Sequence, residues 1–455
     1  MINCFLPVGV LSVLSIVCAT VYADELKPPD LVALDDAFIQ LSHEAYERFA
    51  QHQPFEGDRV DELMVQVQGR LSERDHVNAI RLIVAATEAL VARGSADAVL
   101  SAVRLLLSQN ERLTAQRVFE GAGNRLDSAT HALLSYEFAK YYFTRQQWSA
   151  CLEHLSGAFK HLSGGNLNHA LLIAGIASQR LTQHRDAIER YQQIAPESGY
   201  YFHAQLNIAI AYIRQGWWSD ARLVINELLG DPQFHTASEL MNRSYVILGY
   251  AMLQREYYRE ARQALRSVEL DSMYANRALL GIALAATGQA DFDGALTLLA
   301  ELKRRGDAEL VVDEAYFLVP YVLSQNEQYA VALESYHHAI EYYERRLQEV
   351  DSAVADIQQG GGPIQWMVHL DSANHNTAIL TQNSQALLAL MKAASSAELA
   401  SLGGSLQQLY DDYRAAMRAV VEYDFLQTRR YLESYISQSR YGIARIYDEN
   451  LLDTD

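Results

Sequence analysis

Residues 245–265 read YVILGYAMLQREYYREARQAL. A small residue, Gly249, is followed twelve positions later by Ala261; Tyr258 stands three before that alanine and Leu265 four after it. Two antiparallel helices cross closely only where side chains are small, and an aromatic then plugs the gap to the next pair. The pattern recurs as Ala139/Cys151, Gly175/Ala187, Ala209/Ala221 and Ala283/Ala295, and a sixth instance, Pro320/Ala332, puts proline in the first slot. First slots are 34 to 40 residues apart. Trp148, His184, Trp218, Phe292 and Tyr329 repeat the place of Tyr258; Leu155, Tyr191, Ile225, Leu299 and Tyr336 repeat that of Leu265. Six copies in phase mark a repeat array, and 455 residues are too many for one core.

The copies resemble the tetratricopeptide repeat, most clearly in residues 245–265 and in LNIAIAYIRQGWWSDARLVI (206–225). The resemblance implies an all-α fold: an α-solenoid of antiparallel helix pairs, a TPR-like superhelix with helical N- and C-terminal caps. About six repeats are expected across 132–345. The family's terminal proline appears only near its place, as Pro196 and Pro232, and Pro320 is expected to bend the sixth repeat. Residues 24–131 are helical by pattern but lack the signature, so degenerate repeats or a cap are expected there. Within them, residues 76–107 read as two amphipathic helices around Gly94-Ser95. In 346–455, a helix runs on to residue 359, Gly360-Gly361-Gly362-Pro363 stops it, and helices near 372–395 and 404–449 close the array. Trp366 is placed to anchor them.

The chain is half apolar, which excludes a disordered protein. Its 56 acidic against 37 basic residues give a net charge of −19, which argues against nucleic acid and anionic lipid as partners. Residues 1–23 read as a signal peptide: an apolar run from Phe5 to Thr20, then Val21-Tyr22-Ala23 before a mature start at Asp24. The leading Met1-Ile2-Asn3 departs from the rule in having no Lys or Arg. Val17 before Cys18 argues against lipidation, and an uncleaved anchor is the alternative. Cleavage removes Cys4 and Cys18 and leaves Cys151 without a partner. No later segment is apolar enough to span a bilayer. Export, no disulfide and this repeat class together suggest a bacterial periplasm.

Catalytic signatures are missing: no HExxH, GxSxG, GxxxxGK[ST] or CxxC occurs. His337 and His338 point to different sides of a helix, and His154 and His161 lie two turns apart, so neither pair makes a metal site. No cofactor is expected. Asn242-Arg243-Ser244 is a glycosylation sequon inside a repeat helix. The stretch ESYISQSRYGIARI (433–446) is similar to the active-site start of superhelical lytic transglycosylases, through Glu433, Ser434, Ser439 and Gly442. That family's Gly-Leu-Met-Gln segment is absent, and a capping helix is the simpler reading.

Binding is the better prospect. The resemblance implies that the first helix of each pair lines a groove, at positions 2, 5, 9, 12 and 13 of the repeat. Those slots hold Lys140, His169, Arg180, His203, Arg214, Arg243, Tyr250, Gln254, Arg277, Tyr321 and Gln325, with Glu314 the one acid. Leu206, Ile210 and Phe317 stand among them as apolar surface. A basic groove in an acidic chain points to an acidic segment of a protein partner, or to an anionic polysaccharide. Ile176, Ile210 and Leu284 at the ninth slot exclude the family's carboxylate clamp. Trp217 and Tyr257 occupy a usually exposed slot, where each is a candidate to stack on a sugar or peptide. The function expected is a non-enzymatic protein-interaction scaffold of the cell envelope. A polysaccharide-export component is the alternative, and a transglycosylase-like enzyme a remote one.

Overall fold

A computed structural model describes residues 30–52, 54–55, 60–123, 125–234, 238–306, 310–359, 375–393 and 399–452. Residues 1–23 with Cys4 and Cys18, the Gly360-Gly361-Gly362-Pro363 stop and Trp366 lie outside the described residues. The described residues form twenty α-helices and no strand. In order they are α1 (Asp30–His52), α2 (Val60–Ser72), α3 (His76–Ala85), α4 (Thr87–Arg93), α5 (Ala96–Ser108), α6 (Arg112–Gly123), α7 (Ser128–Thr144), α8 (Trp148–Ser156), α9 (Gly164–Arg180) and α10 (His184–Gln192). There follow α11 (Tyr201–Arg214), α12 (Trp218–Gly230), α13 (Ser238–Gln254), α14 (Tyr258–Leu265), α15 (Ala275–Gly288), α16 (Phe292–Arg305), α17 (Leu310–Gln325), α18 (Tyr329–Gln358), α19 (His375–Ala393) and α20 (Gly403–Leu452). The architecture is all-α and of the TPR-like α-solenoid type. Residues 76–107 hold three helices, not two: the backbone leaves the helix at Ala86 (φ −100°, ψ 11°), and Thr87 Oγ1 donates to the Ile83 carbonyl.

One turn builds the repeats. Between paired helices a single residue adopts the left-handed conformation: Arg74, Asn110, Gln146, Thr182, Gly216, Glu256, Ala290 and Glu327, with φ between 57° and 75°. The next residue's N–H bonds the carbonyl five residues back, as in Gln183 N to Ser178 O (2.8 Å) and Tyr257 N to Met252 O (2.9 Å). This closure satisfies the last carbonyls of the first helix and reverses the chain. The first small slot lies seven residues before the left-handed residue and the second five after it. Counted this way, Arg74 and Asn110 mark two further pairs with Val67/Ala79 and Val103/Ala115 in those slots, all four buried.

The small slots are where helices meet. Ala139, Cys151, Ala187, Ala209, Ala221, Ala261, Ala283, Ala295 and Ala332 are each at most 3% exposed. A Cβ on Gly175 would fall inside the ring of Tyr191, and one on Gly249 inside the Leu265 side chain. Burial pushes the Cys151 thiol up to about 12. Seven residues before the first slot, four pairs carry a polar residue whose packing role sequence reading did not show. Asn168 Oδ1 accepts from Ala195 N (3.1 Å), Asn242 Oδ1 from Glu269 N (3.1 Å), Asn276 Oδ1 from Arg305 (3.1 Å) and Asp313 Oδ1 from the Tyr342 hydroxyl (2.6 Å). Each ties the start of the first helix to its own pair's second helix or the loop after it. Asn242 is fully buried in this role, so the sequon it heads is not available for modification. Helix α17 continues through Pro320, whose carbonyl accepts from Ser324 Oγ (3.0 Å).

The chain divides into two compact units. One takes the described residues of 30–204 and 375–421, the other those of 205–359 and 422–452. In the unit containing α1, a buried polar network joins distant parts of the sequence. Asn110 Nδ2 donates to Asp35 Oδ1 (3.0 Å), the Tyr141 hydroxyl donates to Asn110 Oδ1 (2.5 Å), and Asn383 Nδ2 donates to Asp35 Oδ1 and to the Tyr413 hydroxyl (both 2.9 Å). Arg145 lies over the Tyr141 ring at 3.8 Å. Beside it, fully buried Glu111 is held by His43 Nδ1 (2.6 Å) and Thr114 Oγ1 (2.9 Å). In the other unit, the end of α20 covers α17 and α18. Tyr435 stacks on Phe317 (6.2 Å) and Tyr343 (5.3 Å), and Leu432, Ile436 and Ile446 are buried alongside.

Candidate functional site

The first-helix face of the repeats is the candidate site, and the two units present it differently. In the unit containing α1, its cations are engaged. Lys140 Nζ is 2.7 Å from Glu137 Oε2 and 4.7 Å from the Tyr136 ring centre, and Arg104 bonds Glu137 from the preceding pair (2.7 Å). The Tyr136 hydroxyl is 2.6 Å from His169 Nδ1. Burial first, and then Lys140, pull the His169 imidazole below its ordinary value, so it is neutral near pH 7. Arg180 reaches over the Trp148 ring (5.9 Å), and His203 is exposed. Lys140 and His169 are thus brought together through Tyr136, but not as two free cations.

In the other unit the same face carries Arg214, Arg243, Gln254 and Arg277 among half-buried Ile210, Leu253 and Leu284. Arg243 is exposed, Arg277 half-buried, and neither forms an ion pair among the described residues. Tyr250 is not a groove residue. It is 2% exposed, and its hydroxyl donates to the Arg277 carbonyl (2.8 Å), pinning one first helix to the next. Leu206 and Phe317, expected as ligand-facing apolar surface, are core residues at 1% and 5% exposure. They share the fifth repeat position with Tyr136, Leu172, Val246 and Leu280, all buried. Tyr321 is half-buried 6.5 Å from Phe317, and Gln325 is exposed.

Glu314 breaks the pattern most sharply. It is fully buried, and neither carboxylate oxygen has a hydrogen-bond partner among the described residues. Burial holds its carboxyl well above the usual range. The folded state therefore keeps a proton that the unfolded chain releases, so this group's contribution is favourable at low pH and is lost as pH rises. Glu314→Met is expected to raise the melting temperature at pH 8, and the gain should shrink towards pH 4.5. The slope is about 1.4 kcal/mol per pH unit while only the unfolded form titrates. Thermal melts of both proteins across that range test it, and a gain independent of pH would contradict the assignment.

A cleft of about 420 Å³ opens beside this face, between the α11–α12 turn and α13–α14. Ile213, Ile225, Leu248 and Met252 floor it, and Trp217 and Tyr257 stand at its rim, 40% and 53% exposed. The corresponding residues of the other pairs are Asp75, Glu111, Gln147, Gln183, Asp291 and Gln328, so the two aromatics are specific to this cleft. Trp218 takes Arg255 over its ring (5.8 Å).

The transglycosylase-like residues do not converge. Glu433 is exposed and bonded by Arg429 Nε (3.1 Å), whereas Ser439 is fully buried. His154 is stacked between Phe138 and Tyr142, both 5.2 Å away. Among the described residues no group of three or more His, Cys, Asp and Glu side chains is placed to hold a metal ion. No described helix is long and apolar enough to cross a membrane.

No family model matches the chain, and no curated protein matches it. Among solved structures it is similar to the TPR domain of P58(IPK), at 14% identity over 85% of this chain and 99% of that one, with a TM-score of 0.23. It is also similar to a circular tandem repeat protein with a novel repeat topology, at 12% identity over 93% and 99%, with a TM-score of 0.14. At these scores neither likeness bears on function.

Proposed function

We propose that this protein is a non-enzymatic interaction scaffold of the bacterial cell envelope, and that it holds a protein partner on the first-helix face around Arg243 and Arg277. One observation carries the reading. In a chain of net charge −19, this face holds two arginines without an ion pair among the described residues, beside half-buried Ile210, Leu253 and Leu284. Apolar contact there supplies affinity, and the cations set orientation and on-rate against an acidic segment. The signal-like segment 1–23 supports export to the periplasm.

The test is cross-linking in cells, with wild type beside the Arg243→Glu, Arg277→Glu double variant. A partner held by wild type and weakened at least about tenfold in the variant, equivalent to ~1.4 kcal/mol, is the expected result. Equal capture by both sinks this interface. A second reading, direct binding of an anionic polysaccharide, draws on the exposed Trp217 and Tyr257 at the rim of the cleft. Alginate binding lost in Trp217→Ala, Tyr257→Ala would favour it.

A further inference from the structure

We propose that the cleft between the α11–α12 turn and α13–α14 binds an uncharged glycan through a 2-acetamido sugar, with Trp217 and Tyr257 against the sugar rings and the acetamido methyl on the aliphatic floor. The inference rests on the second reading above, glycan binding at these two aromatics, and changes the ligand from anionic to neutral.

The two aromatics stand where a helix cap belongs. Each is the residue just before a second helix, Trp217 at φ −88°, ψ 66° and Tyr257 at φ −82°, ψ 62°, and neither side chain caps that helix. Asp75 and Asp291 hold the same position with nearly the same backbone, at φ −93°, ψ 70° and φ −85°, ψ 71°. Their carboxylates accept from Asn78 N (3.2 Å) and Gly294 N (3.1 Å). Such a cap contributes about 1 kcal/mol. Helices α12 and α14 forgo it and instead set exposed aromatic surface over one cleft. An aromatic face takes a flat apolar surface whose edges stay wet. A pyranose ring has that form, with C–H bonds on its face and hydroxyls around its edge.

The polar rim selects a neutral ligand. Asp220, Arg222, Arg255 and Glu260 line the cleft, two of each sign. Apart from Arg255 over the Trp218 ring, none of the four side chains has a hydrogen bond or ion pair among the described residues. Their charges sum to zero, so the cleft holds no net attraction for a polyanion. What they present is hydrogen bonding. The carboxylates accept from hydroxyl and amide protons, while the guanidinium groups and the Ser219 hydroxyl donate to sugar oxygens.

The floor selects the sugar. Ile213, Ile225, Leu248 and Met252 bring no polar side-chain group to it, and a hydroxyl pressed onto them would lose its hydrogen bonds with water. An acetamido substituent puts a methyl there and keeps its N–H and C=O at the polar rim. The cleft's volume of about 420 Å³ falls within the roughly 300–1,000 Å³ of small-ligand sites.

Calorimetric titration of the full chain with triacetylchitotriose, cellotriose and an alginate trimer tests this. Triacetylchitotriose should bind saturably and equally at low and high salt, because a neutral ligand is not screened. Cellotriose, the same ring without the acetamido group, should bind at least tenfold more weakly, and the alginate trimer should not bind. Trp217→Asn and Tyr257→Asn should each weaken binding at least tenfold while melting holds or rises, since asparagine supplies the missing cap. No binding of triacetylchitotriose to wild type overturns the proposal, as does full binding in both variants. Equal affinity for cellotriose overturns the acetamido assignment. Tight, salt-sensitive alginate binding overturns the neutral ligand and leaves the anionic reading standing; chitotriose binding without alginate binding does the reverse. Binding of N-acetyl-tryptophanamide in place of the sugar assigns the cleft to a peptide side chain and overturns the proposal.

Discussion

Gly175→Leu and Gly249→Leu should each destabilise the protein by about 3 kcal/mol or more. The first added carbon already enters the Tyr191 ring or the Leu265 side chain, and both are fully buried. Neither neighbour can retreat. Tyr191 is fixed by its hydroxyl bond to Gln179 (2.6 Å), and Leu265 also lines the place where Gly281 of the next pair approaches. The helix pair must spread, and the next pair stacked on it loses contact too. Melting should fall by roughly 6–12 °C. Gly69, which has nothing within 4 Å of an added carbon, provides the control: Gly69→Leu should leave melting nearly unchanged. A small effect at Gly175 and Gly249 would mean that the slots are not where the helices cross, and the first-helix face would fall with them.

Asn110→Ala should be comparably severe, at about 3–5 kcal/mol. Two effects add. Asn110 holds φ at 60°, where alanine costs about 1 kcal/mol more than asparagine or glycine. Its side chain also connects Tyr141, Asp35 and Asn383, and removing it strands buried groups at about 1–3 kcal/mol each. Asn110→Gly separates the terms: it should recover about 1 kcal/mol of the loss and no more. Denaturant midpoints of the three proteins decide this. Recovery to wild type by glycine would mean that the network contributes nothing and only the turn matters.

Much of this molecule was legible from residues alone. Gly249/Ala261 and its copies give close helix crossings because only small side chains permit them, and that constraint acts within some twenty residues. The copies at Val67/Ala79 and Val103/Ala115 were missed because the first slot holds valine, so a search for a small residue there passes over them. The left-handed residue would have pointed to the second of them, since Asn110 is a common choice at a helix end, but Arg74, Thr182 and Glu327 carry no such signal. The groove list was legible only as a register. Position 5 proved to be core in all six copies, and Tyr250 was turned inwards by a bond to the Arg277 carbonyl.

The sequence by itself determined the helix pairs, their period and the small residues at which they cross, because these depend on local spacing and side-chain volume. Tertiary structure alone decided which candidates face solvent. Lys140 is neutralised by Glu137, Glu314 is fully buried within its helix pair, and Asp35 meets Asn383 across nearly the whole chain. The free energy of a charge depends on what surrounds it, and those surroundings come from segments that no local pattern connects.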